Sequence, residues 1–158
     1  MAVNGNPALV CVFVHLGRGF GARQWGKRWA EGRIIGINER LPYGYFRAAA
    51  DGCAIVYSED KIENRLERFF RRGLAFIVGV DVVHAWRNRK GIYNSEIVWT
   101  HAEQQYLAVL ILFRILFWKR RPKLIAQSVR LFDRWQSLSS VRRWFYTKLI
   151  AKANIPRP

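Results

Sequence analysis

The chain has 158 residues, of which 51% are hydrophobic, 15% aromatic and 24% charged. This balance is that of one folded domain, and the aromatic content excludes an intrinsically disordered tail. Lysine and arginine number 27 against 11 acids, a net charge of +16, which favours a polyanionic partner: nucleic acid, an anionic membrane surface or a phosphate-bearing ligand. Two cysteines, Cys11 and Cys53, are too few for a disulfide framework or a zinc site, so we expect no metal and a reducing cytoplasm.

Short β-rich runs alternate with longer helical patterns along the chain. The first half predicts a strand at Leu9–Val14, a glycine-rich turn at Gly17–Gly21, a helix over 22–31, a strand at Cys53–Tyr57 and a helix over 62–77. In this last helix, apolar side chains at steps of three and four share one face: Ile62, Leu66, Phe69, Phe70 and Leu74. The stretch between the first helix and the second strand, 33–50, predicts a strand and a loop.

The second half continues the alternation. It predicts a third strand at Asp81–Val83, a fourth at Ile97–Thr100, an apolar helix over 103–119, a fifth strand at Leu124–Ala126 and a basic helix over 140–153. Ser139 or Ser140 is the expected N-cap of that closing helix. The longest apolar stretch, within 106–118, is shorter than the roughly 20 residues of a bilayer span, so we do not expect the chain to cross a membrane.

Strands that are apolar throughout and separated by helices indicate a parallel sheet covered on both faces. We therefore predict one α/β domain over 1–158, an open Rossmann-like parallel sheet with helices on both faces. Right-handed crossovers place the C-terminal ends of all its strands at the same edge. In open α/β sheets this edge is where ligands bind.

The three histidines of the chain, His15, His84 and His101, each follow a predicted strand. A histidine can cap a turn as readily as it binds a ligand, but three of three at one edge favour a ligand site. Other polar residues also follow the predicted strands: Ser58, Glu59, Asp60, Arg87, Arg89, Glu103, Gln127 and Ser128.

The glycine turn that contains Gly17, Arg18, Gly19 and Gly21 lies where a dinucleotide-binding fold keeps its phosphate loop. Its spacing, G-x-G-x-G, departs from the G-x-G-x-x-G pattern of that loop. We favour a flexible turn that lets a substrate or a neighbouring domain come close, with phosphate contact as the alternative.

Basic and aromatic residues are interleaved in the second half of the chain. Twelve of the 27 basic residues, and one acid, lie between Arg114 and Pro158. The residues predicted to face a membrane are Arg68, Arg71, Arg72, Trp118, Arg120, Arg121, Arg142, Arg143 and Trp144. Such a surface fits an anionic headgroup layer or single-stranded nucleic acid. Because no nucleic-acid-binding motif is present, we favour the membrane.

Three segments carry a resemblance to a known family: DVVHAWRNR at 81–89, SEIVWTHAE at 95–103 and KLIAQSV at 123–129. They resemble the N-terminal half of bacterial family-4 glycosyltransferases of the GT-B fold, most closely those that build exopolysaccharide or other surface glycans on lipid-linked acceptors. The similarity covers Leu9 to Asn154, and WTHAE after a strand is its most specific motif.

The resemblance implies two Rossmann-like domains, of which this chain is the N-terminal one. That domain binds the acceptor and docks on the inner membrane, while a C-terminal domain binds the nucleotide-sugar donor. The reaction retains anomeric configuration and needs no metal. By position, His101 faces the donor–acceptor crevice as the candidate catalytic residue. The loop of Gly17, Arg18, Gly19 and Gly21 lies near the donor phosphates, and the acceptor cleft is lined by His15, His84, Arg87, Glu103, Gln127 and Ser128.

Two departures from the family pattern shape the expected function. Many relatives have a histidine where this chain has Gln127-Ser128, and no donor-binding domain follows before Pro158. We expect the acceptor-binding, membrane-associated half of a retaining glycosyltransferase, inactive alone, partnered by a donor-domain subunit and peripheral on the cytoplasmic side of the bacterial inner membrane. The alternative is a non-catalytic basic protein that binds anionic membrane or single-stranded nucleic acid.

Overall fold

The computed structural model of the chain describes residues 10–34, 39–49, 53–116, 122–127, 131, 133 and 135–151. Within these residues a single parallel sheet holds four strands in the order β2-β1-β3-β4. The strands are β1 (Val10–His15), β2 (Ala54–Tyr57), β3 (Ile97–Thr100) and β4 (Lys123–Ala126). The predicted α/β class with a Rossmann-like parallel sheet is confirmed.

Six α-helices surround the sheet in the part of the chain that the structure describes. They are α1 (Ala22–Ala30), α2 (Arg65–Val78), α3 (Val82–Arg87), α4 (Arg89–Tyr93), α5 (Glu103–Ile115) and α6 (Ser140–Ala151). The Oγ of Ser139 accepts a hydrogen bond from the Arg142 N–H at 3.4 Å, which confirms Ser139 as the cap of α6. Among these residues no helix is both long enough and apolar enough to cross a bilayer.

The register of the sheet brings the strand ends together. His15 pairs with Thr100, and Thr100 pairs with Ala126, so β1, β3 and β4 finish side by side. At the far side of β1, Val14 pairs with Tyr57, the last residue of β2. The residues that follow all four strands therefore share one edge, as the parallel topology predicts.

Successive residues of β1 point to opposite faces of the sheet. Phe13 enters the larger core, which is dominated by α5, whose residues 106–113 are all buried. Val14 enters a second core with Tyr45 and Tyr57. Both faces of the sheet are covered, so the polar groups at its edge are held on a rigid support.

One predicted strand is wrong. Asp81–Val83 is the start of α3, where the Asp81 side chain accepts a hydrogen bond from the His84 N–H at 3.0 Å. Two consecutive valines do not distinguish a buried strand from a buried helix, and the Asp81 carboxylate caps the start of a helix here.

The strand predicted within 33–50 is also not found among the described residues of that segment. A 3-10 helix occupies Pro42–Ala48 instead. Its backbone is kinked at Tyr43 (φ 61°) and Gly44 (φ 65°), two consecutive residues in the left-handed region.

Candidate functional site

The carboxyl edge of the sheet carries two polar clusters, and the more accessible one is centred on His101. His101 directly follows β3 and Gln127 directly follows β4, so strand pairing brings them to the same place. The hydroxyl of Tyr45 lies between them, 2.7 Å from His101 Nδ1 and 2.8 Å from Gln127 Oε1. We call these three residues, with Tyr43, the open cluster.

Tyr43 stacks on His101 with ring centroids 3.9 Å apart. A left-handed backbone at a residue other than glycine costs about 1–3 kcal/mol and persists where surrounding contacts hold it. The Tyr43 ring also contacts Phe20 of the glycine turn, at 5.7 Å, and Trp25 of α1, at 6.2 Å, and it meets the Tyr45 ring edge-on at 6.3 Å. The Tyr43 ring thus joins the glycine turn to His101.

The open cluster is neutral at physiological pH. Burial lowers the pKa of His101 below its usual value, so the imidazole is uncharged. Burial also raises the pKa of Tyr45 to about 12, with smaller contributions from Tyr43 and Tyr57, so its hydroxyl keeps its proton. The cluster therefore presents hydrogen-bonding groups without charge, a chemistry that fits hydroxyl groups.

The second cluster, which we call the buried cluster, lies beneath the glycine turn. His15 and His84 stack with centroids 5.2 Å apart, and His84 Nε2 donates to the carbonyl of Leu16 at 3.1 Å. The other nitrogen of His84, Nδ1, lies 3.9 Å from Asp60 Oδ1. Burial, and then the neighbouring His84, lower the pKa of His15 well below its usual value. The structure thus brings His15 and His84 together as predicted, although His84 lies within helix α3 and does not follow a strand.

The glycine turn is bound by a carboxylate of the chain itself. Asp60 Oδ2 accepts hydrogen bonds from the backbone N–H groups of Gly19 and Gly21, both at 3.0 Å. A Cβ on Gly21 would meet the Asp60 backbone nitrogen at 2.7 Å, so this close approach requires glycine there. In the loop that the resemblance implies lies near the donor phosphates, the N–H groups of Gly19 and Gly21 are therefore occupied by Asp60.

Three arginines from different elements converge on Glu63, whose side chain is fully buried. Arg18 of the glycine turn lies 2.6 Å from Glu63 Oε2, and Arg71 of α2 lies 2.8 Å from Oε1. Arg87 of α3 binds the same Oε1. Arg71 also pairs with Asp81 at 2.6 Å and is only 11% exposed, so the prediction that it faces a membrane is wrong: its charge is used inside the fold.

The outer surface of α2 is apolar and uncovered. None of the fourteen residues of this helix is buried. The docking face, as we name it, consists of exposed apolar side chains on α2 and just before it: Ile62, Leu66, Phe69, Phe70, Phe76 and Ile77. Arg68 and Arg72, both predicted to face a membrane, are exposed on the same helix together with Arg65. Several large apolar side chains exposed together on one helix are typical of interaction sites.

Helix α6 adjoins the C-terminal end of α2. Arg142 hydrogen-bonds the carbonyl of Phe76, and the Tyr146 hydroxyl donates to the carbonyl of Val78 at 3.1 Å. Trp144 is 64% exposed, while Arg143 is partly buried and hydrogen-bonds Ser140 Oγ at 3.4 Å. Of the α6 residues predicted to face a membrane, Trp144 is the most open.

Other predicted site residues take less central positions. Glu103 is in the first turn of α5 and partly buried, and Gly17 lies against the side chain of Gln105. Four predicted residues fall outside the described part of the chain: Trp118, Arg120, Arg121 and Ser128. Among the described residues, no group of three or more histidine, cysteine, aspartate or glutamate side chains could hold a metal ion.

Sequence reasoning missed Tyr43, Tyr45 and Glu63. Tyr43 and Tyr45 flank Gly44 directly after Pro42, and this turn composition with two aromatic residues was the available signal. The burial of Glu63 depends on Arg18, Arg71 and Arg87. Because these partners come from other parts of the sequence, no local pattern predicts it.

The chain was compared with protein-family models, with curated proteins and with solved structures. None of them matches it. Its function is therefore inferred from the two clusters and the docking face.

Proposed function

We propose that the chain is the acceptor-binding, membrane-associated half of a retaining glycosyltransferase, which receives a sugar from a nucleotide-sugar onto a lipid-linked or surface-polysaccharide acceptor. The main support for the proposal is that one small domain has two surfaces. A neutral open cluster suited to hydroxyl groups lies at the carboxyl edge of the sheet, and an apolar docking face with exposed arginines lies on α2. A lipid-linked glycan needs both, since its sugar is polar and its anchor lies in a membrane.

The composition of the docking face favours a membrane over nucleic acid. Single-stranded nucleic acid binds by stacking bases on aromatic rings. The rings of Phe69, Phe70 and Phe76 suit either partner. The other half of the docking face, Ile62, Leu66 and Ile77, is between 63% and 94% exposed and has no ring, whereas aliphatic side chains insert readily between lipids. Exposed arginines near an anionic leaflet add about 1 kcal/mol each. We place the protein on the cytoplasmic face of the bacterial inner membrane.

The open cluster suits the polar end of such an acceptor. The neutral imidazole of His101 accepts a hydrogen bond from a sugar hydroxyl, and the Gln127 amide has a further donor and acceptor. The exposed part of the Tyr43 ring provides an apolar surface for the carbon-bound face of a sugar. Together these residues orient the acceptor hydroxyl toward the donor.

In this proposal the donor site belongs to a second unit. Leaving-group charge on the nucleotide diphosphate has to be offset by cationic or N–H groups. Here Asp60 occupies the glycine-turn N–H groups and Glu63 binds Arg18. We therefore expect a separate donor-binding domain or subunit to hold the nucleotide-sugar, and this chain alone to transfer no sugar.

The proposal is tested by flotation with two kinds of vesicle. One contains anionic and zwitterionic phospholipid, and the other also contains a polyprenyl-diphosphate-linked hexose. The wild-type chain is expected to float with both and to bind the second severalfold more tightly. His101→Ala should abolish this difference and keep the binding to plain anionic vesicles. Gln104→Ala, an exposed neighbour in the first turn of α5, is the matched control and should behave as wild type.

Two outcomes would overturn the proposal. If the glycan lipid gives no increase in wild-type binding, the chain does not bind a lipid-linked acceptor. If a single-stranded oligonucleotide binds tightly and displaces the chain from vesicles, the basic surface serves nucleic acid instead.

A further inference from the structure

The hydroxyl of Tyr45 has two polar neighbours and one proton. It donates that proton to Gln127 Oε1 at 2.8 Å. The same oxygen lies 2.7 Å from His101 Nδ1, close enough for a strong hydrogen bond. Because the Tyr45 proton is already used, the proton of this second bond has to come from the imidazole.

The two hydrogen bonds of the Tyr45 hydroxyl indicate the tautomer of His101. A neutral imidazole has one N–H group and one bare nitrogen. With the proton on Nδ1, the lone pair is on Nε2. We propose that Tyr45 and Gln127 are positioning residues that hold His101 in its Nδ1–H tautomer, so that Nε2 accepts a hydrogen bond from a hydroxyl of the acceptor glycan. The identity of the hydroxyl rests on the proposed function; the tautomer does not.

Neighbouring rings hold the geometry in place. Trp99 packs edge-on against Tyr45 with centroids 4.7 Å apart, and the face of Tyr43 covers the His101 ring. The Tyr43 contact restricts rotation of the imidazole, which would otherwise exchange the places of its two nitrogens. The strained backbone at Tyr43 is the structural cost of keeping that ring in position.

The tautomer is measured directly by nitrogen NMR of the full chain labelled with ¹⁵N-histidine, at a pH above the titration of His101. Protonated and bare ring nitrogens differ widely in chemical shift, and loss of signals in His101→Gln assigns the residue. The wild type is expected to show Nδ1–H. Gln127→Leu leaves the Tyr45 proton free to point at Nδ1, so the tautomer should switch to Nε2–H. Gln127→Glu only accepts, so it should keep Nδ1–H.

Two tyrosine variants separate positioning from packing. Tyr45→Phe removes the hydroxyl, and we expect it to shift His101 toward Nε2–H and to weaken binding to vesicles with the lipid-linked hexose about fivefold to tenfold. Tyr93→Phe is the matched control, because it also removes only a hydroxyl, from a tyrosine of α4 outside the open cluster. It should leave both measurements unchanged.

The result that would overturn the inference is an Nε2–H tautomer in the wild type, or a tautomer that Gln127→Leu and Tyr45→Phe leave unchanged. Its failure is distinguishable from failure of the proposed function. If the tautomer is as stated and the hexose lipid gives no added binding, the acceptor assignment is wrong. If the hexose lipid binds and the tautomer is the other one, the positioning role is wrong.

Discussion

The carboxylate of Asp60 accepts a hydrogen bond from the backbone N–H of Gly19, and both residues lie at the carboxyl edge of the sheet. The same oxygen binds the N–H of Gly21, so one side chain holds the turn between β1 and α1 in a fixed shape. Backbone N–H groups that converge in this way form a concave anion-binding site. Here the anion is a side chain of the protein itself, so the glycine turn is a fixed part of the site and not a flexible loop.

We predict that Asp60→Ala destabilises the fold and loosens the glycine turn. Two hydrogen bonds to a charged acceptor are lost, which should lower the free energy of unfolding by about 2 kcal/mol. Urea denaturation measures this, and hydrogen exchange should show faster exchange at Gly19 and Gly21. Glu59→Ala is the control: its carboxylate accepts one exposed hydrogen bond, from the Arg23 N–H, and its loss should be small. Equal effects of the two variants would contradict this role of Asp60.

Glu63 is the centre of a charge network, and we predict a large effect of Glu63→Gln. Three guanidinium groups lose their shared carboxylate inside the protein, which should cost about 3 kcal/mol in the free energy of unfolding. Glu67→Gln removes a partly exposed carboxylate paired with Lys61 and should cost much less. A Glu63→Gln variant as stable as Glu67→Gln would show that the network contributes no net stability.

The same network predicts a loss of stability in acid. Burial alone raises the pKa of Glu63, but hydrogen bonds from Arg87 and Arg71 outweigh it, so the net pKa lies below the usual value. A lowered carboxyl pKa stabilises the fold above the unfolded value of about 4.3, and this contribution disappears as the pH falls through the folded value. Unfolding curves measured below that pH should converge for wild type and Glu63→Gln.

The buried histidines affect the stability of the fold in a higher pH range than Glu63 does. Burial lowers the pKa of both His15 and His84, so the folded state binds fewer protons than the unfolded state. Their contribution to stability should therefore be complete above the unfolded pKa of about 6.5 and decline as the pH falls below it. Asp60 and Asp81 oppose this lowering of the His84 pKa, while Arg18 adds to it.

We predict that His84→Gln flattens this dependence. Its amide can still donate to the Leu16 carbonyl but does not titrate, so the difference in unfolding free energy between neutral and mildly acidic pH should shrink. His101→Gln, at a less buried histidine, is the control and should change the slope less. Parallel curves for wild type and His84→Gln would contradict the assignment of His84 as a neutral buried group.

The docking face makes a prediction about membrane binding. Phe69→Ser combined with Phe70→Ser removes two exposed rings, which should weaken binding to anionic vesicles by about 3 kcal/mol, or on the order of a hundredfold. Trp29→Ser, an exposed ring on α1, should have little effect. Unchanged flotation of the double variant would mean that α2 does not meet the membrane.

The charged part of the same surface should respond to salt. Arg68→Glu with Arg72→Glu is expected to reduce binding to anionic vesicles, and added salt should weaken the wild type more than this variant. Lys90→Glu, an exposed cation on α4, is the matched control. Trp144→Ser should weaken binding and leave the near-ultraviolet circular dichroism of the fold unchanged; unaltered binding would restrict the membrane contact to α2.

Much of the fold was predictable because its signals are local. The apolar runs that became β1, β2, β3 and β4 and the periodic stretches that became α1, α2, α5 and α6 are set by patterns within a few residues. The strand predicted at Asp81–Val83 failed because a short apolar run has no period.

The site was predictable in position but not in detail. Parallel topology placed His15 and His101 at one edge, and strand pairing confirms this for both. The partners that fix their chemistry come from residues far away in sequence: Tyr45 and Gln127 are 82 positions apart, and Arg87 reaches Glu63 across 24. Contacts of this kind depend on the folded chain and leave no local pattern.

The most direct test of the central claim is hydrogen exchange, measured by mass spectrometry, of the chain on vesicles with and without a polyprenyl-diphosphate-linked hexose. We predict that Arg65–Val78 is protected on both kinds of vesicle and that the segment containing Trp99 to Glu103 gains protection only with the hexose lipid. Protection of α2 without any change around His101 would contradict an acceptor site at the sheet edge and leave a membrane-binding domain alone.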